Sequence, residues 1–237
     1  MDNGWDASAA AWIDDMGERG DFSREFILDP ALRARIGLGT FADALDVGCG
    51  EGRFCRILRE LGIAATGIDP TAALLERARE LDPEGRYSEA RAEALPFADA
   101  SFDLVVSYVT LVDIEDAEAA ITEMARVLRP GGTLLVANLN SFATANGGAS
   151  WVRCRSDGDP CLKIDNYQQI RADWVSWRGI TIRNWHRPMS AYMAAFLGAG
   201  LTLTHFDEPV PVGGDPQRAA WFTRIPYFIV MEWRKPD

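Results

Sequence analysis

A glycine-rich turn and two acidic residues mark where this chain can hold a small charged molecule. The run Leu45-Asp46-Val47-Gly48-Cys49-Gly50-Glu51-Gly52 ends an apolar stretch on an acidic residue and follows it with alternating glycines. Gly48 and Gly50 have no Cβ, so the backbone can turn sharply and approach a ligand closely. A helix beginning near Gly52 offers free N–H groups to a carboxylate, and Asp46 can receive an ammonium directly or through water. Asp69 ends a second apolar run, Ala64 to Ile68. An acidic residue there, about 20 residues beyond such a loop, accepts hydrogen bonds from a ribose diol. Pro70-Thr71 then open a helix, as proline at a first turn does. A dinucleotide loop reads G-x-G-x-x-G, but position 53 is Arg and the third glycine comes one residue early. That spacing argues against a nicotinamide oxidoreductase. Without a ligand, the same turn is an ordinary strand-to-helix connection.

Three further segments follow in order. Glu93-Ala94-Leu95-Pro96-Phe97-Ala98-Asp99-Ala100-Ser101-Phe102-Asp103-Leu104-Val105 is similar to the pattern E-x-L-P-F-x-D-x-S-F-D-x-V. Arg126-Val127-Leu128-Arg129-Pro130-Gly131-Gly132-Thr133-Leu134 is similar to R-V-L-[RK]-P-G-G-x-L. His186-Arg187-Pro188-Met189-Ser190 with Tyr192, followed by Leu197 to Gly200, is similar to H-R-P-[LM]-S-x-Y and L-x-x-A-G. Together with the loop, these segments resemble the class I S-adenosylmethionine-dependent methyltransferases, and specifically their small-molecule subgroup. The resemblance covers about residues 42–138, with a shorter stretch beyond. It implies S-adenosylmethionine as methyl donor, with S-adenosylhomocysteine as product. The implied reaction is transfer to a small-molecule acceptor, at a hydroxyl or carboxylate oxygen ahead of nitrogen. A macromolecular methyltransferase, or a cofactor-binding protein without catalysis, remains the alternative.

On this resemblance the cofactor residues are Trp12, Arg24, Asp46, Gly48, Cys49, Gly50, Asp69, Pro70, Ala92, Glu93, Ala94 and Ser107. Trp5 and Trp12 resemble an N-terminal aromatic lid whose second aromatic is offset. An aromatic face suits a sulfonium cation, and Arg24 suits a carboxylate; either can equally dock an N-terminal helix. Relatives often place Asp where this chain has Arg91, which cannot accept from an adenine amine. Adenine contacts then fall to the backbone around Ala92 and Glu93. Methyl transfer is an in-line displacement that needs positioning and a dry pocket above all. A general base helps only when the acceptor has a proton to lose. The chain has two histidines. His186, beside the candidate cap, is the better base or else a structural hydrogen bond; Tyr108, beyond the fourth strand, is the other catalytic candidate. Asp113 can touch substrate or cap a helix. No metal is expected.

The elements that position these residues alternate β and α. Strands are expected at 42–47, 64–68, 86–90, 102–107, 132–138, 201–208 and 227–233, with helices at 52–61, 71–81, 115–129 and 189–199. This predicts a doubly wound α/β sheet, and the resemblance implies a Rossmann-like seven-stranded sheet with its last strand antiparallel. The expected organisation is an N-terminal helical lid (1–40), a cofactor-binding core (41–140), a cap inserted after the fifth strand (141–187) and a C-terminal completion of the sheet (188–237). The cap holds Trp151, Trp174, Trp177, Trp185 and Tyr167, with Arg153, Arg155, Lys163, Arg171, Arg178, Arg183 and Arg187 against Asp157, Asp159, Asp165 and Asp173. Long loops at the carboxyl edge of such a sheet are commonly functional, and this content points to an aromatic or anionic acceptor. The net charge of −11 disfavours nucleic acid and anionic membrane as partners. No secretory pattern or membrane-length apolar run is seen. Cys49, Cys55, Cys154 and Cys161 lack C-x-x-C spacing and read as reduced thiols in a cytoplasmic protein.

Overall fold

The structure is a computed structural model that describes residues 3–17, 19–146, 152–153 and 160–237. Trp151, Cys154, Arg155, Asp157 and Asp159 of the expected cap lie outside the described residues.

The strands are β1 (Asp43–Val47), β2 (Ala64–Asp69), β3 (Arg86–Glu89), β4 (Phe102–Tyr108), β5 (Leu128–Leu139), β6 (Val152–Arg153), β7 (Pro160–Cys161), β8 (Arg171–Trp177), β9 (Ile180–His186), β10 (Thr202–Asp207) and β11 (Phe228–Arg234). The helices are α1 (Trp5–Met16), α2 (Asp29–Ile36), α3 (Arg53–Glu60), α4 (Ala72–Leu81), α5 (Ala117–Val127), α6 (Ser141–Thr144), α7 (Met189–Gly198) and α8 (Pro216–Arg224). Seven strands form one sheet in the order β10-β11-β5-β4-β1-β2-β3. β11 runs antiparallel between β5 and β10, while β1, β2, β3, β4 and β5 pair in parallel. This is the expected doubly wound sheet with its last strand antiparallel.

Side chains alternate across the sheet and bury both faces, as a parallel sheet requires. Leu45, Val47, Val105 and Val136 pack with Ile121 and Met124 of α5 and Phe196 of α7. Ala44, Leu104 and Val106 face the other way, onto Leu32 of α2 and Phe54 and Leu58 of α3. Asp46 shares this second face, so its carboxyl is almost wholly buried, at 1% exposure. In register, Val47 lies between Ile68 of β2 and Ser107 of β4. The ends of β1, β2 and β4 therefore bring Asp46, Asp69 and Tyr108 to one edge.

Besides α6, β6 and β7, three features are absent from the sequence expectations. A π-helical turn, Arg24–Leu28, runs into α2. α8 is capped by Asp215, whose side chain accepts from the Arg218 N–H. Within residues 141–187, β8 and β9 form a hairpin closed by Arg178-Gly179, both at positive φ, the left-handed pair of a type I′ turn. This hairpin packs on α1. The Ser8 hydroxyl donates to the Thr181 carbonyl at 2.9 Å and accepts from the Thr181 N–H at the same distance. Gly4 opens α1 so close to the hairpin that a Cβ there would meet the Thr181 carbonyl oxygen at 2.2 Å. Cys49 and Cys55 are free thiols, whereas Cys161 is disulfide-bonded, which corrects the expectation that all four are reduced. No helix among the described residues is long and apolar enough to cross a membrane.

Candidate active site

The glycine loop is latched between β1 and β2. The N–H groups of Gly48 and Cys49 both donate to the Ile68 carbonyl, at 2.8 and 2.9 Å. Gly48 and Gly50 sit at φ +75° and +55°, where a side chain would be strained. Asp69 accepts from the Gly50 N–H at 3.0 Å and the Thr71 N–H at 2.8 Å, so one carboxylate ties the loop to the start of α4. Asp46 accepts only a weak bond from the Cys55 thiol, at 3.5 Å, and its Oδ1 is buried with no partner. Burial pushes its pKa up to about 7; the Cys55 thiol acts against this, and the charges of Asp69 and Glu51 add to it.

Three connected hollows run along this edge. Asp46, Gly48, Cys49, Gly50 and Arg53 line the first, beside α3. The second holds Gly48, Gly50, Asp69, Pro70, Thr71 and the backbone turn from Ala90 to Glu93. The third, of about 460 Å³, lies between α1, the hairpin and the C-terminal part of the chain. Its walls include Trp5, Trp12, Trp177, Trp221, Phe222 and Tyr227. Trp5, Trp12, Arg24, Val109 and Asp113 line both the second and the third hollow, and so form the junction between them. At the junction Trp5 and Trp12 meet edge to face at 5.0 Å, and the Arg24 guanidinium lies 4.7 Å over the Trp12 ring. Val109 is held at φ +57°. This is a strained conformation for a β-branched residue, of the kind that gathers at functional sites.

Residues 45–136 match the methyltransferase-domain family. An S-adenosylmethionine-dependent methyltransferase from Mesorhizobium loti superposes with a TM-score of 0.80 at 26% identity, over 92% of this chain and all of that one. The chain carries a methyltransferase domain in the fold of S-adenosylmethionine-dependent methyltransferases. A malonyl-[acyl-carrier protein] O-methyltransferase from Enterobacter lignolyticus is 39% identical over 46% of this methyltransferase and 43% of its own length. One of the same name from Salmonella typhimurium is 29% identical over 70% of this chain and 67% of its own. The chain thus spans less than half of the Enterobacter relative.

The residues present fit the methyl donor of this family. The orphaned Asp46 Oδ1 suits an ammonium, Asp69 suits a ribose diol, and Arg24 lines all three hollows within reach of a carboxylate. Trp12, Cys49, Pro70, Ala92 and Glu93 also line the first two hollows. Ala94 lines neither; its N–H is used at 3.2 Å on the Arg91 carbonyl. Ser107 lines none of the three and is fully buried one residue inside β4. Arg91 pairs with Glu93 at 2.9 Å, and both residues line the second hollow.

The two residues expected to be catalytic are occupied elsewhere. The Tyr108 hydroxyl donates to Asp29 at 2.8 Å. Asp29 also receives a forked bond from Arg53, the first residue of α3. Burial, and then the Asp29 charge, raise the Tyr108 pKa well above its ordinary value, and Tyr108 does not line the large hollow. His186 lines that hollow, but both ring nitrogens are engaged. Nε2 lies 2.8 Å from the Tyr167 carbonyl and Nδ1 2.7 Å from the Thr144 hydroxyl. A carbonyl only accepts, so Nε2 carries the proton and Nδ1 accepts from Thr144. Burial lowers the His186 pKa and keeps the ring neutral. The ring joins β9 to α6 and has no lone pair left for an acceptor.

Two of the cap's described arginines are likewise used within the protein. Arg187 donates to the carbonyls of Leu111, Ile114 and Glu115, and Arg171 pairs with Asp173 at 2.9 Å. Among the described residues lining the large hollow, Arg24 is the only Lys or Arg, and it bridges to Asp21 at 3.3 Å. Asp113 gains the most from the structure. It is the only carboxylate on the junction, it accepts from Asn184 Nδ2 of β9 at 2.5 Å, and it bonds the Trp5 indole. In sequence its role stayed open because Asn184 and Trp5 lie far from it along the chain.

Proposed function

We propose that this methyltransferase moves the methyl group of S-adenosylmethionine to an oxygen of a small-molecule acceptor held in the 460 Å³ hollow. The observation that carries this reading is the shared wall of Trp5, Trp12, Arg24, Val109 and Asp113, where a donor site and a separate acceptor site meet. When bound, S-adenosylmethionine supplies an electrophilic methyl on a sulfonium. Asp69 and Asp46 bind and orient the donor, and Arg24 neutralises its carboxylate. The Trp5 and Trp12 rings offer their faces to positive charge. The N-terminal segment and the β8–β9 hairpin act as the cap that excludes water and holds the acceptor in line.

The named activity of the Enterobacter and Salmonella relatives supports oxygen as the accepting atom. Aromatic walls and a single, paired arginine favour an aromatic acceptor over an anionic one. A net charge of −11 does not favour nucleic acid. Incubation with methyl-labelled S-adenosylmethionine and a panel of phenols, catechols, hydroxy acids and amines, with tRNA in parallel, tests the reading. Labelled ether or ester products support it. Label appearing only in tRNA, or binding of S-adenosylhomocysteine without transfer to any acceptor, would contradict it.

A further inference from the structure

We propose that Asp113 takes the proton of the acceptor, so that the acceptor is one with a proton to lose, such as a phenol or an alcohol, rather than a carboxylate. This rests on the methyl-transfer reading above and narrows it to a substrate class. Position singles Asp113 out. The acceptor atom must stand where the donor hollow opens into the large one, and Asp113 is the only titratable carboxylate on the wall common to both. The other acids of the large hollow are spoken for: Asp21 bridges to Arg24 and Asp173 to Arg171. The other candidate base, His186, has both nitrogens bonded.

Asp113 is also held as a base must be held. Asn184 from β9 and Trp5 from α1 each donate to its carboxyl, fixing its orientation from two sides. The Trp185 N–H donates to the Val112 carbonyl at 2.6 Å and pins the adjoining backbone. Asn184 and Trp5 are positioning residues in this scheme. The charged groups facing Asp113 are Asp69 from the end of β2 and Arg24 from the π-helical turn. Burial pushes the Asp113 pKa up to about 8. The hydrogen bonds from Asn184 and Trp5 oppose that rise, Asp69 adds to it and Arg24 opposes it. A base of that strength is matched to a phenol near neutral pH.

The step balances. A lone pair of the acceptor oxygen forms the new bond to the methyl carbon. The sulfur–methyl bond breaks with its electron pair left on sulfur, and the proton released from the acceptor goes to Asp113. A carboxylate acceptor would have no proton to give and would bring a second negative charge against Asp113.

The test is the Asp113→Asn variant of the full chain. Asn keeps the shape of the side chain but only one accepting oxygen for the two donors, Asn184 and Trp5, so a merely structural role predicts a loss that is the same for phenols of every acidity and leaves the pH profile in place. S-adenosylhomocysteine binding is measured first and should be unaltered. Single-turnover methyl transfer is then followed against pH for phenols of graded acidity. The wild-type rate should rise through about pH 8, and Asp113→Asn should lower it by about 10²–10⁴-fold and remove that rise. The loss should shrink as the phenol becomes more acidic, and Asp113→Glu should recover part of the rate. A wild type that transfers, with an Asp113→Asn variant that keeps the pH profile, would overturn the assignment of Asp113 alone. So would efficient turnover restricted to carboxylates. A wild type that binds S-adenosylhomocysteine but transfers to nothing would overturn the methyl-transfer reading itself.

Discussion

Replacing Asp69 by Ala separates two jobs that one carboxylate performs. In the protein its oxygens accept the N–H groups of Gly50 and Thr71, at 3.0 and 2.8 Å. With the carboxylate gone, those donors are left to water. Leaving a buried donor unsatisfied costs about 1–3 kcal/mol. Asp69 lines the donor hollow, so water can reach the site, and the stability loss should sit near the low end for each donor. The cofactor loses a charged acceptor for its ribose, worth about 1.5–3 kcal/mol. That converts to a dissociation constant for S-adenosylhomocysteine raised roughly 10–150-fold. Calorimetric titration reads the affinity, and urea unfolding of the ligand-free protein reads the stability. If the midpoint falls while the dissociation constant stays within a factor of about two (a difference under 0.5 kcal/mol), Asp69 is only a latch for the glycine loop and the ribose site has been misplaced.

Asp46 supplies a pH test. Its pKa in the folded protein is raised to about 7, so its contribution to stability is present at low pH and is lost as pH rises from the ordinary carboxylate range through about 7. Affinity for the ammonium-bearing S-adenosylhomocysteine should rise over the same window, with proton release detectable by calorimetry in buffers of different ionisation heat, and Asp46→Asn should flatten both trends. Asp29→Ala should destabilise the protein by about 3–5 kcal/mol in urea, because it leaves Arg53 buried without its partner. Tyr108→Phe should cost far less stability and leave the chemical step nearly unchanged; a large loss in single-turnover rate would restore Tyr108 as a catalytic residue. His186→Ala should lower the melting temperature and weaken acceptor binding equally for acceptors of every acidity, and a loss that tracks acceptor pKa would make it the base instead.

What could be read from the sequence was what is local along the chain. Asp46, the glycines and Asp69 follow from strand ends and turn spacing, which the βα repeat fixes within a few residues. The hairpin was also locally encoded. Val175 and Trp177 alternate before Arg178-Gly179, and Ile180 and Ile182 alternate after it, a pattern masked by the surrounding charged residues. The Asp29–Arg53–Tyr108 network and the Asn184–Asp113–Trp5 clamp join residues from distant elements, and no spacing rule announces them. The arginines of the cap looked like anion ligands because sequence shows charge but not direction. In the fold, Arg187 points at carbonyls on the connection after β4. His186 stayed open between a base and a structural hydrogen bond for the same reason, since Thr144 and the Tyr167 carbonyl reach it only in three dimensions.

A crystal structure of the protein with S-adenosylhomocysteine and a phenolic acceptor tests the central claim most directly. The ribose should lie on Asp69, the ammonium on Asp46, and the sulfur at the junction of Trp5, Trp12, Arg24, Val109 and Asp113. The acceptor oxygen should then lie in the large hollow, in line with the sulfur and within hydrogen-bond reach of Asp113. A sulfur turned away from that junction, or an acceptor bound outside the hollow between α1 and the hairpin, would contradict it.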